Sequence, residues 1–218
     1  TSPIPIPATA SGTVGVTIDG HPAADFDGDG IFEARVPVTN VVSYADLAGG
    51  DADDRRVVVD IAKCDDCHKQ LSLHGNNRTD NPQVCVTCHN PNATDARRRG
   101  VGGSTCPIDL GDDDAPVDMT YMIHAIHAFD ESGVVYGACG FGNSSHEWDF
   151  VYPGHLNNCE GCHIKDVDTF YPVAAGSILG TTIDAGADPA DPSDDVAISP
   201  NTAVCSTCHA SDLARQHM

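Results

Sequence analysis

Two cysteines three positions apart, followed at once by a histidine, occur four times in these 218 residues: Cys64/Cys67/His68, Cys85/Cys88/His89, Cys159/Cys162/His163 and Cys205/Cys208/His209. This is the attachment pattern of haem c. Two thiols form thioethers to the porphyrin vinyl groups, and the adjacent imidazole is carried onto one face of the iron. Pairs of this spacing also build structural zinc sites, and two of them could form one four-cysteine centre. Zinc, however, does not ask for the next residue to be histidine. Histidine is 11 of 218 residues, so its chance placement after all four pairs is on the order of 10⁻⁵. The motifs therefore call for four covalently held haems, with His68, His89, His163 and His209 as proximal ligands to iron.

That cofactor load constrains the fold. With 40% hydrophobic and 6% aromatic residues, the chain need not build a large side-chain core, because the porphyrins supply apolar bulk. The expected architecture is a multihaem cytochrome c: a small N-terminal β-module over residues 1–60, then a loop-rich, short-helix tetrahaem domain over 61–218 with little regular structure. Residues 1–60 hold no cysteine and one histidine, His21. Thr13 to Ile18 alternates after Gly12, Ile31 to Val42 is Val-rich with Pro37 inside it, and Arg56 to Ile61 closes with a Val run, which reads as three or four strands. Sixty residues bury little, so this module should lean on the haem region or on another subunit.

The net charge is −21, from 32 acids against 11 Lys and Arg, which makes nucleic acid an improbable partner and suits a solvated surface, divalent cations or basic partners. No stretch approaches the eighteen or more apolar residues of a membrane span. The chain opens on Thr1 without a signal peptide and has no cysteine near that end, so it reads as an exported chain, extracellular or on the cell surface with the periplasm as the alternative. Cys106 and Cys139 stand outside the four motifs and are expected to form a disulfide, worth roughly 3–4 kcal/mol for a loop of that size.

The second axial ligand sets the function of each haem: a second histidine closes the iron for electron transfer, whereas an exchangeable position permits substrate chemistry. Seven histidines lie outside the motifs: His21, His74, His124, His127, His146, His155 and His217. Asp118 can cap a helix whose Met119, Met122, Ile123 and Ile126 leave His124 and His127 three positions apart on nearly one face. Neighbouring turns cannot easily reach one iron, so the pair reads as ligands to two different haems. His74 precedes Gly75, a candidate helix stop, and lies too close to the first motif to reach its own haem's far side. His217 follows the fourth motif by eight residues.

The run from Lys63 to Asp95, KCDDCHKQLSLHGNNRTDNPQVCVTCHNPNATD, resembles the first two haem motifs of a pentahaem module in the OmcA/MtrC family of outer-membrane multihaem cytochromes. Tyr121 to His127 is similar to that family's distal-ligand helix, and VCSTCHASDLARQHM to its fourth motif with a following distal histidine. The similarity covers most of residues 56–218. It implies bis-histidine haems that pass electrons to minerals such as metal oxides, to flavins or to other cytochromes, with His74, His124, His127 and His217 as distal ligands. His146 falls near another ligand position of the family, and His155 competes for that role. Family modules normally continue to a fifth haem, whereas this chain stops. Five ligand-like histidines for four haems leave one surplus, which is either structural or exchanged between copies of the protein in a homopolymer.

Asp25, Asp27 and Asp29 alternate, with Gly30 at the sixth position, as in the first half of a calcium loop, but Val36 stands where the twelfth-position Glu would be. A short irregular Ca²⁺ site and a merely acidic turn both fit. Asp112 to Asp114 and Asp184 to Asp195 read as solvated loops that could add calcium ligands. Trp148 reads as packed on a haem or a core face. The leading function is an electron carrier without enzymatic activity, with a role as the subunit of a conductive filament as its extension. The alternative is a multihaem reductase with one open iron, and a scaffold that uses haem only structurally is a third reading. Surplus histidines and the lack of any variant motif argue against the reductase.

Overall fold

The computed structural model describes residues 5–99, 106, 114–164, 173, 176, 178–184 and 191–215. The chain forms two compact units, Thr1–Cys85 with Cys162–Ile164, and Val86–Gly161 with Lys165–Met218.

In the first unit, β1 (Thr13–Ile18) pairs antiparallel with β4 (Val41–Asp46), Ile18 facing Val41 and Gly15 facing Tyr44. Between them lie the two-residue strands β2 (Ala23–Ala24) and β3 (Ala34–Arg35), paired with each other. The alternation read over residues 13–18 matches β1 end to end. The Val run at Arg56 to Ile61 does not form a strand: Val59 makes one isolated bridge, to His163, and the helix α1 (Ile61–His68) takes over at once. Asp60 caps it, its carboxylate accepting from the Ala62 amide at 3.0 Å. Helix α1 ends at Lys69, which has a positive φ. Gly75 is therefore not a helix stop. It lies with His74 and Asn76, all at positive φ, in the turn joining β5 (Ser72–Leu73) to β6 (Arg78–Thr79). Three successive positive-φ residues favour Gly and Asn, and here His74 shares the turn with them. The one-turn helix α2 (Pro82–Cys85) follows. Gln83 is buried and ties it to the β-strands, its Oε1 accepting from Tyr44 Oη at 3.3 Å and from Arg55 at 3.1 Å.

The second unit is built around α3 (Met119–His127) and the short α4 (Phe129–Ser132). Asp118 caps α3 as its sequence position predicts, accepting from the amides of Thr120 and Tyr121 at 2.9 and 3.2 Å. The hairpin β7 (Tyr136–Cys139) with β8 (Ser145–Trp148) packs on α3, forming a small core of Ala125, Tyr136 and Ala138 with Trp148 and Met122 against it. Trp148 stacks on Tyr136, ring centroids 5.4 Å apart. A second hairpin, β9 (Thr181–Ile183) with β10 (Val196–Ile198), leads through the Ser199 cap into α5 (Pro200–Cys208), which packs along α3, and α6 (Asp212–Arg215).

Buried Asp95 organises the loop before α3. Its Oδ1 accepts from Arg99 and from the Ala115 amide, both at 2.7 Å, and its Oδ2 from the Cys139 amide at 2.7 Å. Cys139 is disulfide-bonded to Cys106, as expected from their exclusion from the motifs. Among the described residues the fully buried apolar set is Val84, Ala125, Ala128, Tyr136, Ala138, Cys139 and Ala203. Four of these seven are alanines, so side chains alone form only a thin core. Meanwhile Leu73, Val57, Phe150, Val151, Leu179 and Leu213 are exposed.

Candidate functional site

The four motifs occupy short helices or turns, and each histidine follows from local structure. His68 closes α1, His89 follows the turn after α2, His163 follows a 3₁₀ turn at Cys159–Gly161, and His209 is the C-cap of α5, its amide donating to Cys205 at 2.9 Å. None of the eight motif cysteines is in a disulfide, whereas Cys106 and Cys139 are joined.

The chain does not enclose the attachment cysteines evenly. Cys67 and Cys88, the second thiols of motifs one and two, are exposed, whereas their partners Cys64 and Cys85 are half-buried. The difference follows from helical position. Cys64 lies one turn inside α1, with its Sγ 3.8 Å from the Asp60 carbonyl, and Cys85 ends α2 with its Sγ 3.5 Å from that of Asn81. Cys67 sits in the last turn of α1, and Cys88 in the turn beyond α2, where its Sγ lies 3.9 Å from Thr87 Oγ1. In motif three both Cys159 and Cys162 are exposed, and in motif four both Cys205 and Cys208 are half-buried on α5. Protein packing thus does not itself build a closed pocket around Cys67 or Cys88. A thioether requires a thiol that the vinyl group can reach, so these open positions suit attachment.

The donor set therefore fits covalent haem: four thiol pairs, each with an imidazole beside it and none fully buried. Burial pushes the Cys64 and Cys208 thiols up and holds His163 below its ordinary value, which favours the neutral imidazole that a metal ligand needs.

The motifs pair in space differently from their order in sequence. Motif one meets motif three within the first unit: the Asp60 amide donates to Cys162 at 3.1 Å, Ile164 to Val58 at 3.0 Å, and Lys63 Nζ to the His163 carbonyl at 2.6 Å. In the second unit the N-terminal end of α3 is joined to motif two, since the Met119 amide donates to the His89 carbonyl at 3.1 Å. The flank of α3 lies on α5, which carries motif four.

Four histidines share one device. His89 Nδ1 lies 2.6 Å from the Val117 carbonyl and His163 Nδ1 3.1 Å from that of Val58. In α3, His124 Nδ1 lies 2.6 Å from the Thr120 carbonyl, and His127 Nδ1 2.7 Å from that of Ile123. A carbonyl only accepts, so Nδ1 carries a proton in each, which leaves Nε2 as the nitrogen able to serve as a donor atom. This is the orientation that metal-bound imidazoles need from their surroundings. Val58 and Val117, which supply two of the acceptors, carry no signal in the sequence that could have singled them out.

The other predicted ligands are placed less uniformly. His74 is exposed in its hairpin turn. His146, on β8, stacks on Trp148 at 5.8 Å with its Nε2 3.2 Å from Ser144 Oγ. His155 is exposed, and His21 half-buried. His217 lies outside the described residues, as do Asp112 and Asp113. His127 is flanked edge-on by Phe150 at 5.9 Å and Tyr152 at 5.7 Å.

Asp25, Asp27 and Asp29 do come together, but on backbone amides. Asp25 accepts from Gly28 at 2.7 Å and Gly30 at 2.8 Å, and Asp29 from Ile31 at 2.7 Å. Those bonds, that of Gly30 foremost, hold the Asp25 carboxyl below its ordinary value. Asp114 departs from the solvated-loop expectation: it is only 6% exposed, because its segment is bridged to residues 94–95 beneath the second hairpin.

Short helices carrying thiol pairs and backbone-anchored imidazoles, around a thin core, define a multihaem c-type cytochrome. Residues 56–218 match the model for outer membrane cytochrome MtrC/MtrF-like domains II/IV, and the chain belongs to that family. No curated protein and no solved structure matches it. The family is one of electron-transfer cytochromes of the outer membrane and extracellular electron transfer, and implies covalent haem c. Among the described residues no helix is long and apolar enough to cross a membrane.

Proposed function

We propose that the protein is a tetrahaem electron relay of the cell exterior, with each iron closed by two histidines and electrons passing between neighbouring haems. The observation that carries this reading is α3. It holds His124 and His127 with both Nδ1 atoms bonded to its own backbone, and it is joined to motif two at its start and to motif four along its side. One helix would thus supply the distal ligand to two haems and set their separation. His74 and His217 complete the set, leaving His146 as the surplus histidine.

Such a site needs no acid, base or nucleophile from the chain. The side chains hold the haems, exclude water from them and tune each potential through ligation and hydrogen bonding. Other cytochromes, flavins and metal oxides are the partners this chemistry serves. Magnetic circular dichroism or resonance Raman of the oxidised, haem-loaded protein tests the reading. Four low-spin, six-coordinate haems are expected, and a substantial high-spin fraction would instead favour a reductase with an open iron.

The N-terminal β-module of residues 1–60 is proposed to join subunits into a homopolymer. Supporting this, Val16, Ile18 and Val41 are exposed by 56, 67 and 56%, with Ile18 and Val41 directly opposite on the paired strands.

A further inference from the structure

Asp184 directly follows β9 and Asp195 directly precedes β10, so they take the next position beyond the Val196–Ile183 pair, where the hairpin passes into its connecting loop. Like charges directly opposite each other on paired strands repel. Asp114 is added to them from the segment before α3: its amide donates to Asp184 Oδ2 at 3.3 Å, and one carboxylate oxygen from each of the three residues lies within 4.8 Å of the others. Asp114 is 94% buried (6% exposed), and among the described residues its Oδ2 is a buried oxygen with no hydrogen-bond partner. Burial, followed by the neighbouring carboxylates of Asp184 and Asp195, raises its pKa, while a hydrogen bond with the Thr94 side chain opposes this. Two arrangements could satisfy a buried carboxylate facing two others: a shared proton, or a cation.

We propose that Asp114, Asp184 and Asp195 form a binding site for a hard divalent cation of the Ca²⁺ class. Three carboxylates from separate segments give an oxygen-only donor set, which suits Ca²⁺, and a bound cation supplies the orphaned Asp114 oxygen with a partner. The placement gives the site a structural task. Three residues after Asp114, the Val117 carbonyl holds His89, and the next residue, Asp118, caps α3. On the other side, the Thr182 amide donates to Pro91 at 3.1 Å, two residues beyond His89. The cation would clamp the β9–β10 hairpin to the segment that fixes motif two and the start of α3. The turn of Asp25, Asp27 and Asp29 lacks the corresponding feature, because its carboxylates already serve its own amides.

The test is Ca²⁺ titration of the haem-loaded, EDTA-treated full-length protein by calorimetry, with thermal unfolding followed in parallel. The wild type should bind Ca²⁺ and unfold at higher temperature in its presence. Asp184→Asn and Asp195→Asn should each weaken binding at least tenfold and abolish the thermal shift, whereas the Asp25→Asn/Asp27→Asn double variant should retain both. If either hairpin variant fails to load haem, the wild-type titration, read against the Asp25→Asn/Asp27→Asn variant, still decides. Absence of Ca²⁺ binding by the wild type, or its loss only in the Asp25→Asn/Asp27→Asn variant, would overturn the proposal in favour of carboxyls that share a proton.

Discussion

His89 Nδ1 donates to the carbonyl of Val117, 2.6 Å away and 28 residues later in the chain. Through that bond, His89 of the second CxxCH motif is oriented by the backbone that enters α3. Motif two and α3 are thus one mechanical piece. Displacing the start of α3 should be felt at the second haem before any ligand is lost.

His124→Ala and His127→Ala are each expected to convert a different haem to high spin, and the double variant two haems. Resonance Raman marker bands of the oxidised protein count them. The two imidazoles are anchored separately, to Thr120 and Ile123, so their effects should add. A double variant that disturbs a single haem would remove the two-haem role of α3.

Asp118→Ala should destabilise the protein by about 1–2 kcal/mol, since the carboxylate caps two amides at the start of α3. Asp118→Asn should keep the cap. Burial, the leading cause, raises the Asp118 pKa above the ordinary carboxylate range. The stability tied to it is therefore fully present below the unfolded-state value and is lost as pH rises through the folded-state value. Thermal unfolding measured across mildly acidic pH should show a decline in the wild type that is reduced in the Asn variant.

The Cys106→Ser/Cys139→Ser double variant should lose roughly 3–4 kcal/mol, as the crosslink closes a loop of 33 residues. Denaturant unfolding under oxidising conditions measures it. The haem count by intact mass should remain four, because neither cysteine belongs to an attachment motif.

Electron microscopy of native surface material should show filaments in which haems continue across subunit junctions. Ile18→Glu or Val41→Glu, which charges the exposed face of the β1–β4 pair, should shift the protein toward single subunits while leaving the haem spectrum intact. A monodisperse single-subunit species at high concentration for the wild type would refute the polymer.

Local rules made much of this molecule legible from residue order. The CxxCH spacing marks attachment sites because thioether and imidazole chemistry acts within five residues. Asp118 and the apolar spacing behind it predict α3, because capping and helical periodicity act within one or two turns. Thr13 to Ile18 alternates and is β1. Cys106 and Cys139 pair because only two thiols remain outside the motifs. Tertiary structure decided what depends on chain segments meeting across long separations. It set motif one against motif three through Val59 and His163, left Cys67 and Cys88 open while half-covering Cys64 and Cys85, put His74 in a hairpin turn rather than at a helix end, and chose the Val58 and Val117 carbonyls as imidazole anchors. It also gathered Asp114, Asp184 and Asp195 from loops that read as solvent-exposed. Backbone carbonyls look alike in any sequence, and the burial of a thiol or a carboxylate depends on what packs over it, so neither could be read before the chain had closed on itself.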